Sequence, residues 1–128
     1  MKLRWIILAI AGAIVGFLFW NLRRPGLPRA SDLWFQAQFV RGADVLITDT
    51  TYRDHEYPSK VDWGHSCVSQ VADLAARAEV KRLHLFHHDP DQSDDDIDAK
   101  LDETRKELLR LGSKVACEAP AEGTELVL

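Results

Sequence analysis

The apolar positions of this chain change period several times after residue 32. Val45 to Ile47 is a short apolar run of strand type. After Ser66, a candidate N-cap, apolar residues recur at helical spacing at Val71, Leu74, Ala75 and Ala78. Leu83 to Phe86 reads as a second strand and runs directly into His87-His88-Asp89-Pro90. Ser93 then marks a helix start, with Asp94, Asp95 and Asp96 in the first turn where carboxylates favour the positive dipole end. The inward stripe of that helix is Ile97, Leu101, Thr104, Leu108 and Leu111, and Gly112 is placed to end it. Val115 to Cys117 and Thr124 to Leu128 are expected to be further strands. Leu33 to Val40 reads as a helical turn, packed through Leu33, Phe35 or Phe39 and ending near Gly42. The predicted order is β-α-β-α-β-β, an α/β arrangement. Its polar clusters fall at the C-terminal ends of the first two strands, where ligands collect in open α/β sheets.

The N-terminal pattern is different. Trp5 to Trp20 carries no charge and no strongly polar group, and Asn21 and Leu22 extend it to Arg23 and Arg24. At ~1.5 Å per residue the run through Leu22 covers about 27 Å, close to a thin bilayer core, and a Trp at each end suits the headgroup interface. A signal peptide competes with this reading through the basic Met1 to Arg4 start, but no small-x-small cleavage pattern follows Trp20. The expectation is one transmembrane helix within residues 1–24, a Pro-rich linker over 25–32 containing Pro25 and Pro28, and a domain over 33–128. Gly12 and Gly16 form a Gly-x-x-x-Gly pair, a spacing also common by composition in membrane helices. Basic residues flank the run on both sides, so the positive-inside signal is nearly balanced, and the domain is assigned to the cytoplasmic side of a single-pass anchor.

Charge sharpens the division. Residues Met1 to Ala30 hold five bases and no acid, which leaves all 20 acids with the other 11 of the 16 bases. An acidic domain disfavours nonspecific nucleic-acid binding, and no nucleic-acid partner is assigned. With 128 residues the chain has room for one domain. Cys67 and Cys117 are compatible with either redox compartment.

The candidate chemistry lies in three clusters: Thr48-Asp49-Thr50-Thr51-Tyr52, Trp63-Gly64-His65-Ser66, and Leu85-Phe86-His87-His88-Asp89-Pro90. In that order, and at those strand ends, they resemble the C-terminal half of the metallo-β-lactamase-fold hydrolases, in the branch of ribonuclease Z and cyclic-nucleotide phosphodiesterase-like enzymes. The resemblance covers about Arg41 to Leu128 and implies half of an αββα sandwich with a zinc site between two halves. It implies that His87 is a metal ligand. It implies further that Asp49 and His65 are a catalytic pair, in which the carboxylate orients an imidazole able to protonate a leaving oxygen. His88 and Asp89 are expected to face outward or fix the turn, and His84 to be a packed or surface residue. His55 and Glu56 fall in a predicted exposed loop, and Asp91 with Asp94 to Asp96 reads as capping and solvated surface.

The chain departs from the family pattern where most ligands should be. His-x-His-x-Asp-His is absent, together with the separate metal-binding His and the bridging Asp expected before this segment. That leaves one ligand of the usual set, whereas a catalytic zinc normally takes three. The expectation is a membrane-anchored hydrolase or phosphodiesterase half-domain, inactive alone and not retaining zinc by itself, completed by a complementary half-domain or by self-association. The rival expectation is a noncatalytic membrane-anchored module that binds a protein or a nucleotide.

Overall fold

A computed structural model of the chain describes Ile7–Leu8 and residues 30–127. The elements are β1 (Ile7–Leu8), α1 (Ala30–Phe39), β2 (Val45–Asp49), a single 3-10 turn (Tyr57–Ser59), α2 (Val68–Arg77), β3 (Arg82–Phe86), α3 (Asp94–Arg110) and β4 (Ala116–Glu118). All strand pairs are parallel, in the order β1-β2-β3-β4. Parallel neighbours cannot be joined by a tight turn, so α2 and α3 act as the crossovers that return the chain to the start of the next strand. The central register sets Val45 beside Arg82 and Asp49 beside Phe86, so β2 and β3 end level with each other.

The core forms on one sheet face. Leu46, Leu83, Leu85 and Cys117 join Val71, Ala72, Ala75 and Leu108 from α2 and α3 in one buried cluster. The small residues Ala72, Ala75 and Ala78 of α2 and its C-cap are fully buried, which lets the helix lie close to the strands. On the other face Val45 and His84 are also buried. His84, expected to be packed or on the surface, is packed, with Nε2 at 3.4 Å from Glu118 Oε2.

Several expected elements hold. α3 starts at Ser93, whose Oγ accepts the Asp96 N–H while the Asp96 carboxylate takes the Ser93 N–H. Gly112 follows its C-cap with φ of +68°, the left-handed conformation that ends helices at little cost for glycine.

Others need correction. The N-cap of α2 is Cys67, because the Ser66 N–H is taken by Asp49 and the Ser66 carbonyl accepts the Tyr52 N–H, which holds Ser66 extended. Of the three residues expected to pack the first helix inward, Leu33 does so, joined by Ala37 and Val40, whereas Phe35 and Phe39 lie more than half exposed. Residues 124–127 form no strand: Pro120 has no N–H to continue the ladder beyond β4, and the chain turns with the Thr124 N–H on the Ala121 carbonyl. The observed order is thus β-α-β-α-β-α-β. Of the expected membrane segment only Ile7 and Leu8 are described, and these are extended beside Leu46 and Ile47; the rest of 1–24, and the linker up to residue 29, lie outside the described residues. No helix among the described residues is long and apolar enough to cross a membrane.

Candidate metal centre

Three loops meet at the C-terminal ends of β2 and β3, and backbone hydrogen bonds bring them together. The Thr50 N–H donates to the Phe86 carbonyl at 2.8 Å, carrying the β2/β3 ladder one step past the strands. The Tyr52 N–H donates to Ser66 at 3.1 Å, within a bridge between Tyr52 and Cys67 that lays the His65 loop along the chain leaving β2. Asp49, His65 and His87 therefore converge although up to 38 positions separate them in sequence.

Asp49 is the hub. Its carboxylate is 9% exposed; Oδ1 accepts the Ser66 N–H at 2.7 Å, and Oδ2 lies 2.9 Å from His65 Nδ1 and 3.0 Å from His87 Nδ1. The two imidazoles stack, with centroids 4.9 Å apart and 15° between planes. The Thr51 hydroxyl lies 3.0 Å from Asp49 Oδ2 and 2.9 Å from both the His87 carbonyl and His87 Nδ1. It has one proton, so when it donates to a carbonyl or carboxylate oxygen its own oxygen accepts from His87 Nδ1–H. His87 itself adopts φ of +59°, a left-handed backbone that a non-glycine residue keeps only where its surroundings impose it.

This geometry changes the ligand count. In the sequence, the resemblance makes His87 alone a metal ligand, with Asp49 and His65 a separate acid pair. The fold brings all three to one point, each offering a ligand atom within 4.8 Å of the others. Two imidazole nitrogens and one carboxylate oxygen are a donor set that suits a zinc-like divalent ion and leaves a fourth position open. Exposures of 33% for His65 and 54% for His87 leave the site reachable from solvent. The expected Asp49–His65 contact is present in the same geometry. His55 is exposed and away from the trio, while Glu56 accepts the Arg53 N–H at 2.7 Å and serves its own loop. Asp89 fixes its turn by accepting the Asp91 N–H, as anticipated. His88, expected to face outward or fix the turn, faces inward instead: its Nδ1 lies 3.1 Å from Lys100 Nζ.

Lys100 was missed. It is fully buried on α3, beneath the site, with Nζ on the Thr50 and Thr51 carbonyls as well as His88. Its spacing was the available signal, because Lys100 falls three after Ile97 and four before Thr104, on the inward stripe.

No family model matches the chain. Among individual proteins it is 41% identical over 71 residues to ribonuclease Z of Thermoplasma acidophilum, covering 56% of this chain and 22% of that one. It is 33% identical over 74 residues to ribonuclease Z of Brevibacillus brevis, covering 58% and 23%, and 44% identical over 55 residues to that of Saccharolobus solfataricus, covering 43% and 18%. A solved structure, the metallo-β-lactamase fold protein YhfI from Bacillus subtilis, aligns with a TM-score of 0.46 at 22% identity, over 66% of this chain and 32% of that one. The chain spans about a fifth of the length of the curated relatives it matches. Over the matched residues this is a partial, ribonuclease Z-like domain.

Burial around the site has a consequence in alkaline solution. It lowers the Lys100 ammonium from its ordinary 10.5 to about 8. From pH 8 to 9 the unfolded chain therefore binds more protons than the folded one, and stability is expected to rise by about 1 kcal/mol. Cys117 acts in the opposite sense: burial pushes its thiol from 9.0 up to about 12, so stability falls above pH 9 as the unfolded thiol ionises first. Tyr52 and Cys67, also raised chiefly by burial, add to that fall. Urea midpoints measured across this range should climb and then decline, and a Lys100→Met protein should lack the climb. A wild-type midpoint that only declines from pH 8 would contradict the assignment.

Proposed function

We propose that this domain is a wall of a metal-dependent hydrolase centre, in which Asp49, His65 and His87 hold one divalent cation. The observation that carries the reading is the meeting of two imidazole Nδ1 atoms on one buried carboxylate oxygen, at 2.9 and 3.0 Å. The similarity to ribonuclease Z supports it independently. Such an ion, when bound, supplies Lewis acidity toward a phosphoryl or carbonyl oxygen.

The chain's own residues define the rest of the chemistry. The Ser66 N–H and the Thr51 hydroxyl hold the Asp49 carboxylate in a fixed plane, so its charge faces the two histidines. Both Nδ1 atoms lie within hydrogen-bond distance of Asp49 Oδ2, so this one carboxylate orients both rings.

The substrate class proposed is a phosphodiester or a related ester. The remaining groups of the centre are proposed to come from a complementary half-domain or a second copy, which the exposed Trp63 and Phe86, close in sequence to His65 and His87, would meet. Tethering to a membrane is supported only by the uncharged run from Trp5 to Trp20 and its basic flanks.

Elemental analysis of the purified full chain after zinc loading and desalting, with turnover of bis-p-nitrophenyl phosphate measured in parallel, tests the reading. One zinc per chain, lost when His87 is replaced by Ala, is the expected result. Zinc with no turnover would place the missing groups on a partner. A chain that takes up no zinc at saturating concentration would overturn the metal centre and favour the noncatalytic binding module.

A further inference from the structure

Lys100 is a charge buried without trace of exposure, and its surroundings account for every proton it carries. Nζ donates to the Thr50 carbonyl at 2.8 Å and the Thr51 carbonyl at 3.0 Å, and lies 3.1 Å from His88 Nδ1. An ammonium has three donors and no acceptor, so His88 Nδ1 is the acceptor and the ring proton sits on Nε2. Burying an ammonium is costly, and an apolar residue on the α3 stripe would fill the same space without that cost. The side chain is therefore explained by its three acceptors rather than by packing.

Those acceptors lie on the two segments that carry the candidate centre. Thr50 and Thr51 follow Asp49 directly, and the Thr51 hydroxyl reaches Asp49 Oδ2 and the His87 carbonyl. His88 follows His87, whose left-handed backbone needs an external constraint to persist. Neither Lys100 nor His88 belongs to the Asp49, His65 and His87 trio.

We propose that Lys100 is the positioning residue of this centre, clamping the loop after β2 onto the turn after β3 from beneath, so that Asp49 and His87 face each other before any ion arrives. The inference rests on the metal reading for its consequence, but the preassembly it describes belongs to the metal-free protein. Carboxylates of Glu56, Asp49 and Asp89 lie near enough to support the buried charge, with Arg53 opposing them.

The test compares the full chain with Lys100→Met, which keeps length and apolar bulk, and with Lys100→Gln, which keeps part of the donor function. Three measurements are made: zinc affinity by competition titration, the visible spectrum of the cobalt-substituted protein, and histidine 15N and ring-contact NMR without metal. Folded Lys100→Met is expected to bind zinc about 10- to 100-fold more weakly, the range seen when groups behind metal ligands are removed. Its cobalt bands should shift, the His65–His87 ring contact should disappear, and His88 should lose its single Nε2–H tautomer. Lys100→Gln should fall between, and it replaces Lys100→Met if the latter does not fold.

Wild-type zinc affinity in a folded variant overturns the clamp and leaves the metal reading intact. If the wild-type chain binds no zinc, the metal reading fails, and the metal-free spectra decide the clamp alone. Ring contact and tautomer unchanged in the variant then refute it, and their loss upholds it.

Discussion

Asp49→Asn is expected to weaken zinc binding by at least about 100-fold, a change of roughly 2.7 kcal/mol in binding free energy. The reason is the position of this carboxylate, which is the one group facing both histidines: Oδ2 lies 2.9 Å from His65 Nδ1 and 3.0 Å from His87 Nδ1. An amide in its place keeps the shape and retains an oxygen for the Ser66 N–H, yet removes the negative charge that balances a cation. Asp49→Ala removes the acceptor as well and leaves the Ser66 N–H unpaired, which adds a stability loss of about 1–3 kcal/mol. The comparison therefore separates ligation from folding. Equilibrium titration with a chromophoric zinc competitor, run on protein whose circular dichroism matches wild type, gives the answer. Asp49→Asn with wild-type affinity would remove Asp49 from the ligand set.

The second large effect is on stability. Leu83→Ala is expected to destabilise the fold by about 3–4 kcal/mol, because Leu83 is fully buried on the central strand β3, in the cluster formed with α2 and α3. For a domain of this size the loss corresponds to a fall of about 15 °C in Tm and a large share of a total stability of about 5–15 kcal/mol. Leu109, 74% exposed on α3, is the control, since its truncation removes little buried surface. Urea unfolding with unchanged slope is the measurement. A loss below about 1 kcal/mol for Leu83→Ala would mean that the β3 face is not the packed centre of the domain.

Much of the architecture was legible because the physics that sets it is local. The Ser93 cap, the acids of the first turn and the Gly112 stop define α3 through hydrogen bonds and dipole interactions spanning one turn each. The alternation between strand-like and helix-like apolar spacing marked β2, α2 and β3, and the parallel sheet follows from crossovers of that length. The misreadings have nonlocal causes. Ser66 has the chemistry of an N-cap, but its N–H is claimed by a carboxylate 17 positions earlier. Phe35 and Phe39 are apolar enough to be core residues, yet the face of α1 that meets α2 is the one bearing Ala37 and Val40.

The site shows the same division. The sequence alone determined the residue types and their order: an acid at the end of one strand, a histidine in the following loop, a histidine at the end of the next strand. It also carried the likeness to metallo-β-lactamase-fold hydrolases. Only the tertiary structure decided that these form one cluster rather than a lone ligand beside an acid pair, because level strand ends and the Tyr52 to Ser66 bond put three distant segments within hydrogen-bond reach. It alone revealed Lys100 as well. A lysine on a helix is read as solvated surface until something shows that three acceptors from other segments surround its ammonium, and that depends on how α3 crosses beneath the loops, which no local pattern encodes.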